Sequence, residues 1–265
     1  MRNGGKKMPD ISVLMSVYNE DYEQIMLAVN SILAQSYKDF ELIIVHDSPE
    51  NKDMYTFLQK LALNDSRIIL YQNPKNIGLA MSMNMAATIA SGKWFARMDA
   101  DDIAMPERFK IQIECLKNNV YDLVFTNFYE IDERGKLISD NMISYHYKDE
   151  EIIRKLCVEN IIHHPTVMMT REIFERVGGY RNFPCSQDYD MWLRMVNHGC
   201  KFHMINKPLL NYRLRSSGVS ANKRLQQKLT LDYARDLMIE RLESGEDTYT
   251  YDNYVLYVNK ITLKN

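Results

Sequence analysis

Lys93-Trp94-Phe95-Ala96-Arg97-Met98-Asp99-Ala100-Asp101-Asp102 is the stretch that sets the reading of this chain. Its first six residues form a short, mostly apolar run, and the last four bring three carboxylates to the end of that run. A short apolar run bounded by breakers predicts a buried strand. Acids crowded at the end of such a strand repel one another and lose hydration, so they call for a neutralising cation. Mg2+ and Mn2+ are hard cations that take oxygen ligands, and they commonly arrive with phosphorylated substrates. The stretch alone leaves a second reading open, a solvated acidic turn ahead of a helix over 106–116 with Pro106 in its first turn.

The chain on either side favours a ligand site. Upstream, Ile11–Val17, Phe40–Val45 and Ile68–Tyr71 read as strands. Helical patterns separate them: from Tyr22 the apolar positions Ile25, Met26, Val29, Ile32 and Leu33 recur at helical spacing, and 53–63 follows suit. A third helix runs from Gly78 through Ala86 and Ala87, with Gly92 as its expected C-terminal cap. Downstream, Leu123–Thr126 is a strand, 128–147 is polar and suggests a hairpin, and 150–158 is helical. His163-His164-Pro165-Thr166 leads into an apolar strand, Arg171–Val177 forms a short helix ended by Gly178-Gly179, and another helix starts at Gln187-Asp188. Strands alternating with helices over short links predict an α/β fold with a mainly parallel sheet covered on both faces. Ligands of such sheets sit beyond the carboxyl ends of the strands, near a switch in strand order. Asp47 and Asp99 both fall at carboxyl ends, so two strand ends deliver acids to one crevice. Neither a Gly-x-Gly-x-x-Gly nor a P-loop pattern accounts for them.

Composition narrows the partners. A net charge of -2 gives no reason to expect nucleic acid. Cys115, Cys157, Cys185 and Cys200 lack metal-ligand spacing and read as reduced thiols of a cytosolic protein. Met1-Arg-Asn-Gly-Gly-Lys-Lys7 lacks the apolar core of a signal peptide, and no apolar run approaches the roughly 20 residues of a membrane span. The expected organisation is one domain over residues 1–220 and a C-terminal extension over 221–265. In that extension Lys223–Glu243 reads as an amphipathic helix, followed by a Tyr-rich polar tail. Membrane docking, packing on the domain and dimer formation are all open for that helix.

Taken together, several segments resemble a known family. They are Ile11-Ser-Val-Leu-Met-Ser-Val-Tyr-Asn-Glu20, Phe40-Glu-Leu-Ile-Ile-Val-His-Asp47, Asn76-Ile-Gly-Leu-Ala80 and Arg97-Met-Asp-Ala-Asp-Asp-Ile103. They continue with His164-Pro-Thr166, Val177-Gly-Gly-Tyr180 and Gln187-Asp-Tyr-Asp-Met-Trp-Leu-Arg194. Over roughly residues 11–215 the chain resembles inverting family-2 glycosyltransferases with a GT-A nucleotide-sugar domain, of the bacterial capsule, exopolysaccharide and O-antigen type. The resemblance implies roles residue by residue. Asp47 would meet the base edge, and Ser16 and Tyr18 would line the base and ribose pocket. Asp99 and Asp101 form the Asp-x-Asp pair, with Asp101 on the metal (Mn2+ or Mg2+), Asp99 toward the ribose or the metal, and Asp102 a near neighbour. Asp188 would be the general base, although most relatives carry Glu-Asp where this chain has Gln187-Asp188. In Asn211-Tyr-Arg-Leu-Arg215, Arg215 stands where many relatives place a His beside the diphosphate or the metal. His163 and His164 could touch acceptor or donor, and Lys75 is a weaker diphosphate candidate.

The implied activity is transfer of a single sugar from a nucleotide-diphosphate sugar, UDP-linked by preference, to a hydroxyl of a lipid-linked surface glycan. The resemblance places it in the cytoplasm, with peripheral contact at the inner face of the plasma membrane. Processive relatives carry a Gln-x-x-Arg-Trp segment, which this chain lacks. Two other classes remain as rivals. A nucleotidyltransferase would carry a Gly-rich basic loop after its first strand, where Tyr18-Asn19-Glu20 stands. A non-catalytic sugar-nucleotide-binding module would bind donor without transferring it.

Overall fold

The sheet grows from the buried runs that the sequence marks. The computed structural model describes residues 8–139, 145–215 and 224–262. Four strands, β1 (Ile11–Val17), β2 (Phe40–His46), β3 (Ile68–Gln72) and β4 (Trp94–Arg97), run parallel, with β1 between β2 and β4. Helices α1 (Tyr22–Leu33), α2 (Lys52–Asn64) and α3 (Gly78–Ile89) make the crossovers. β5 (Ile103–Ala104), β6 (Leu123–Ile131), β7 (Met168–Thr170) and β8 (Phe202–Arg213) extend the sheet in the order β3-β2-β1-β4-β7-β6-β8-β5. β7 is antiparallel to both neighbours and β5 to β8, so the sheet is mixed, parallel in its first half. The strand order reverses between β1 and β4, and the crevice that forms there opens beyond their carboxyl ends.

Each central strand is apolar on both sides because helices cover both faces. Val13, Met15, Leu42, Ile44 and Ala96 join one core with α1, α2 and α4 (Arg108–Lys117). Leu14, Ile43, Val45 and Phe95 point the other way, into a core shared with α3, α5 (Asp149–Leu156), α6 (Arg171–Arg176) and α7 (Gln187–Asn197). Trp192 is buried in that second core, where it anchors α7.

Several expectations need correction. α4 starts at Arg108 rather than in the Pro106 turn. β6 runs on to Ile131, so the expected hairpin shrinks to a turn closed by an antiparallel bridge from Ile131 to Leu137; residues 140–144 of that segment lie outside the described residues. Gly92 is not a helix cap, since α3 ends at Ile89 and Gly92 is not among the positive-φ glycines. It is glycine for a steric reason: an added Cβ would lie 2.7 Å from the backbone N of Ser12. Its own N–H donates to Ser12 Oγ at 2.8 Å, and that hydroxyl donates to buried Glu41 at 2.7 Å. Gly92→Ala is therefore expected to push β1 from the loop before β4 and cost about 1–3 kcal/mol, read as a lower urea midpoint with unchanged slope.

The described part of the C-terminal extension is two helices joined by a short link. α8 (Arg224–Ser244) packs on α7, and the expected Tyr-rich tail is instead a helix, α9 (Tyr251–Thr262). Lys223, the expected start of the first helix, lies outside the described residues. The tyrosines explain the difference. Tyr233 and Tyr254 pack with Phe183 and Leu237 in a separate aromatic cluster, and Thr230 shares a hydrogen bond with Tyr254 Oη at 2.9 Å. Asp247, in the link between the helices, fastens it to the domain through Arg181, at 2.8 Å, and pairs with Arg241 of α8.

Candidate functional site

Asp47 occupies the end of β2, and its carboxylate is held from one side only. Oδ1 accepts from Asn73 Nδ2 at 2.7 Å and from the Ile77 N–H at 2.9 Å, while Oδ2 accepts from the Gly78 N–H at 2.8 Å. Gly78 adopts φ +81°, which turns the chain into α3 and points its N–H at the acid. A carboxylate offers about four acceptor directions, so one remains on Oδ2 for a ligand. Ser16 and Tyr18, at the end of β1, line the same crevice, as does the neighbouring Asn76; Lys75 is exposed and off its wall.

The acidic turn after β4 is the most charged part of the site. Asp99 pairs with Arg97, whose guanidinium is wholly buried under the turn. Asp101 faces Arg215, with Nε 2.5 Å from Oδ2. Burial first, then the charge of Asp99, pushes the Asp101 carboxyl up to about 6, against the opposing pull of Arg215. Glu20 joins these acids on the crevice wall; burial raises its carboxyl too, offset in part by the Tyr18 N–H that donates to it at 2.7 Å. Asp102 does not reach the crevice lining. It is buried and accepts from the Arg213 N–H at 2.8 Å, because Arg213 ties the whole turn to β8. Arg213 Nε also donates to the Asp101 carbonyl at 2.7 Å, and its Nη1 to the carbonyls of Asp132 and Glu133.

Asp188 stands at the start of α7 on the far wall of the same crevice. Ser186, at φ +53°, makes the turn that presents it. Burial raises the Asp188 carboxyl above the ordinary aspartate value, while Asn160 Nδ2, donating to Oδ2 at 3.0 Å, and nearby backbone N–H groups pull it back. Beneath it His164 is buried. Arg97 Nε donates to its Nδ1 at 3.2 Å, so the ring proton sits on Nε2, 2.7 Å from Tyr180 Oη. Burial and the Arg97 charge keep this histidine neutral.

The crevice, about 820 Å³, thus collects Ser16, Tyr18, Asp47, Asp99, Asp101, Asp188, Arg215 and both histidines. That volume falls within the range of small-molecule sites. Sequence reasoning missed Glu20, Arg97 and Asn160 as parts of the site. Arg97 carried a signal, a charge inside an otherwise buried strand, whereas Asn160 carried none. As a metal locus the turn offers two crevice-facing carboxylates, and among the described residues no three or more His, Cys, Asp or Glu are grouped so as to hold a metal ion by themselves. Two hard oxygen donors suit a cation that completes its shell with substrate phosphates, rather than one caged by protein alone.

Comparison with known proteins fits this geometry. The model of the family described as "Glycosyl transferase family 2" matches residues 12–178. An uncharacterized glycosyltransferase, MJ1057 of Methanocaldococcus jannaschii, is 36% identical over 227 residues, 85% of this chain and 78% of that one. The O-antigen biosynthesis glycosyltransferase WbnJ of Escherichia coli is 32% identical over 207 residues, 77% of this chain and 79% of that one. Among solved structures, S. aureus TarS 1-349 in complex with UDP-GlcNAc superposes with a TM-score of 0.68 at 15% identity, covering 94% of this chain and 70% of that one. Mannosyltransferase PcManGT from Pyrobaculum calidifontis, in complex with GDP-Man and Mn2+, gives 0.65 at 17% identity over 91% and 66%. At those identities the structural likeness speaks for the GT-A fold.

Proposed function

The chain belongs to glycosyl transferase family 2, and from that premise we propose an inverting, metal-dependent transfer of one sugar from a nucleotide-diphosphate sugar to a hydroxyl of a lipid-linked surface glycan. The observation that carries this reading is the meeting of Asp47, the Asp99/Asp101 pair and Asp188 on one crevice. The relatives' O-antigen role and the UDP-GlcNAc and GDP-Man complexes of the structural neighbours support the donor class, with a UDP-sugar preferred. Residues 1–220 form the catalytic domain and 221–265 the extension. The described residues hold no helix long and apolar enough to cross a membrane, and we place the enzyme in the cytoplasm, meeting its acceptor at the inner membrane face.

The chemistry follows from the side chains. Asp47 takes an N–H of the base on its remaining acceptor direction, and Ser16 and Tyr18 flank the base and ribose. Asp101 and Asp99 would hold Mn2+ or Mg2+, which when bound neutralises charge that gathers on the leaving diphosphate. Arg215 stands 2.5 Å from Asp101, within reach of the same phosphates, and a guanidinium can grip them through two N–H groups. Asp188 takes the proton of the acceptor hydroxyl. That oxygen attacks the anomeric carbon opposite the diphosphate, the glycosidic C–O bond breaks toward the leaving nucleotide, and the configuration inverts.

A thermal-shift screen against UDP-, GDP- and dTDP-sugars, with and without Mn2+, tests the donor class, because a ligand that binds only the folded state raises its midpoint. No shift with any of them would sink the reading. Arg215→Ala is expected to weaken affinity for the cognate donor by about 10-fold or more, the worth of a charged hydrogen bond, measured by calorimetry.

A further inference from the structure

The crevice divides by charge. Around the ends of β1, β2 and β4 its walls carry Glu20, Asp47, Asp99 and Asp101, and the end of β8 adds Arg213 and Arg215. The facing wall comes from residues 160–165 and 182–188, and there Asp188 is the one Asp, Glu, Lys or Arg among the described lining residues. The two histidines of that wall do not change this. His164 is neutral for the reasons given above, and burial holds His163 down to about 4.

His163 is also unusual in its partners. Its ring packs 4.3 Å from Phe128, 5.8 Å from Tyr212 and 6.5 Å from Tyr145, with Tyr145 half-exposed beyond it. Among the described residues neither ring nitrogen makes a hydrogen bond, although Thr166 Oγ1 donates to the His163 carbonyl. A neutral imidazole has one N–H donor and one bare acceptor nitrogen. Here the ring stands on the crevice wall, on an aromatic backing, in the same crevice that Asp188 lines.

From this juxtaposition we propose that His163 is the acceptor-sugar anchor, and that the acceptor unit it receives is a neutral pyranose. The imidazole binds two ring hydroxyls, one as donor and one as acceptor. A third hydroxyl is left toward Asp188. An anionic unit, such as a uronate or a phosphate, would be set against the Asp188 carboxylate; the cation that faces this wall, Arg97, is buried and already paired with Asp99, so that repulsion selects against it.

The inference rests on the glycosyltransferase reading, and the test separates the two. Binding of octyl β-D-glucopyranoside, octyl 2-acetamido-2-deoxy-β-D-glucopyranoside and octyl β-D-glucuronide is measured by saturation-transfer NMR and by acceptor KM, beside calorimetry of the cognate nucleotide sugar. The neutral glycosides are expected to bind and the glucuronide to bind at least about 10-fold more weakly, one close charge pair being worth that much. His163→Ala and His163→Phe should each raise the neutral-acceptor KM by about 5- to 10-fold, the loss of one or two hydrogen bonds, while donor affinity is retained. His163→Gln, which keeps a donor and an acceptor, should recover most of the loss. Equal or tighter binding of the glucuronide, an unchanged acceptor KM in His163→Ala, or donor binding with no neutral glycoside bound would each overturn the inference. Absence of any nucleotide-sugar binding by the unmodified chain would instead bring down the glycosyltransferase reading, and this inference with it.

Discussion

Asp188→Asn is expected to lower kcat by about 10²- to 10⁴-fold while leaving nucleotide-sugar affinity close to unchanged, the span that removal of a positioned general base commands. The amide keeps the shape and the Asn160 contact but cannot take a proton. The groups facing Asp188 are Arg97 on β4, Tyr180 after α6 and Tyr212 on β8. Burial outweighs the stabilising bonds, so the Asp188 carboxyl titrates above the ordinary aspartate value. The base works only when ionised, so kcat/KM should fall on the acid side with a midpoint above that value, and the variant's residual rate should lack this limb. Stability moves the opposite way. A carboxyl whose folded pKa is raised holds its proton more tightly in the folded state, so its ionisation costs stability as pH rises from the unfolded value through the folded one. Asp188→Asn removes that cost, and its melting midpoint at neutral pH should equal or exceed that of the unmodified chain. A kcat within 10-fold of normal would remove Asp188 from the role of base.

Asp190, two residues along α7, carries the largest expected effect on stability. It is fully buried, accepts from Arg194 Nε at 2.9 Å and lies 3.6 Å from Arg181 Nη1. Arg194 in turn donates to the carbonyls of Val177 and, at 2.7 Å, Gly179, which fixes the Gly178-Gly179 turn against α7. Removing the acid leaves a buried guanidinium without its counter-charge. Asp190→Ala should cost about 3–5 kcal/mol. For a chain of this size that is a drop of roughly 10 °C in melting midpoint. Because α7 also carries Asp188, transfer should weaken in the soluble fraction as well. A midpoint within about 2 °C of normal, less than the worth of one kcal/mol on this scale, would show that the pair is not structural.

Much of this molecule was legible in the residues themselves. The apolar runs at Ile11–Val17, Phe40–Val45 and 93–98 read as buried strands, because mostly apolar side chains without regular polar alternation have no solvent side to present, and the structure holds strands at Ile11–Val17, Phe40–His46 and Trp94–Arg97. Their spacing with helical patterns fixed the parallel half of the sheet, and so placed Asp47, Asp99 and Asp101 at one rim. Local rules failed where a distant segment decided the outcome. Gly92 looked like a helix cap, and its real reason, the Ser12 backbone 80 residues earlier in sequence, is a contact across strands. The Tyr-rich end looked polar and loose, yet Tyr254 is ordered by Phe183 and Tyr233 from elsewhere in the chain.

The site divides in the same way. Sequence by itself determined which acids stand at strand ends, since that follows from hydrophobic periodicity and short-range order. Only the tertiary structure decided how they share the work. It turned Asp102 inward to Arg213, left Asp101 facing Arg215, and seated Asn160 on Asp188. It also made one histidine of His163-His164 a buried partner of Arg97 and set the other on the crevice wall. Hydrogen bonding, burial and charge act between residues that are close in space, and chain folding sets those distances. Neighbouring residues such as Asp101 and Asp102, alike in sequence, therefore come to do different things.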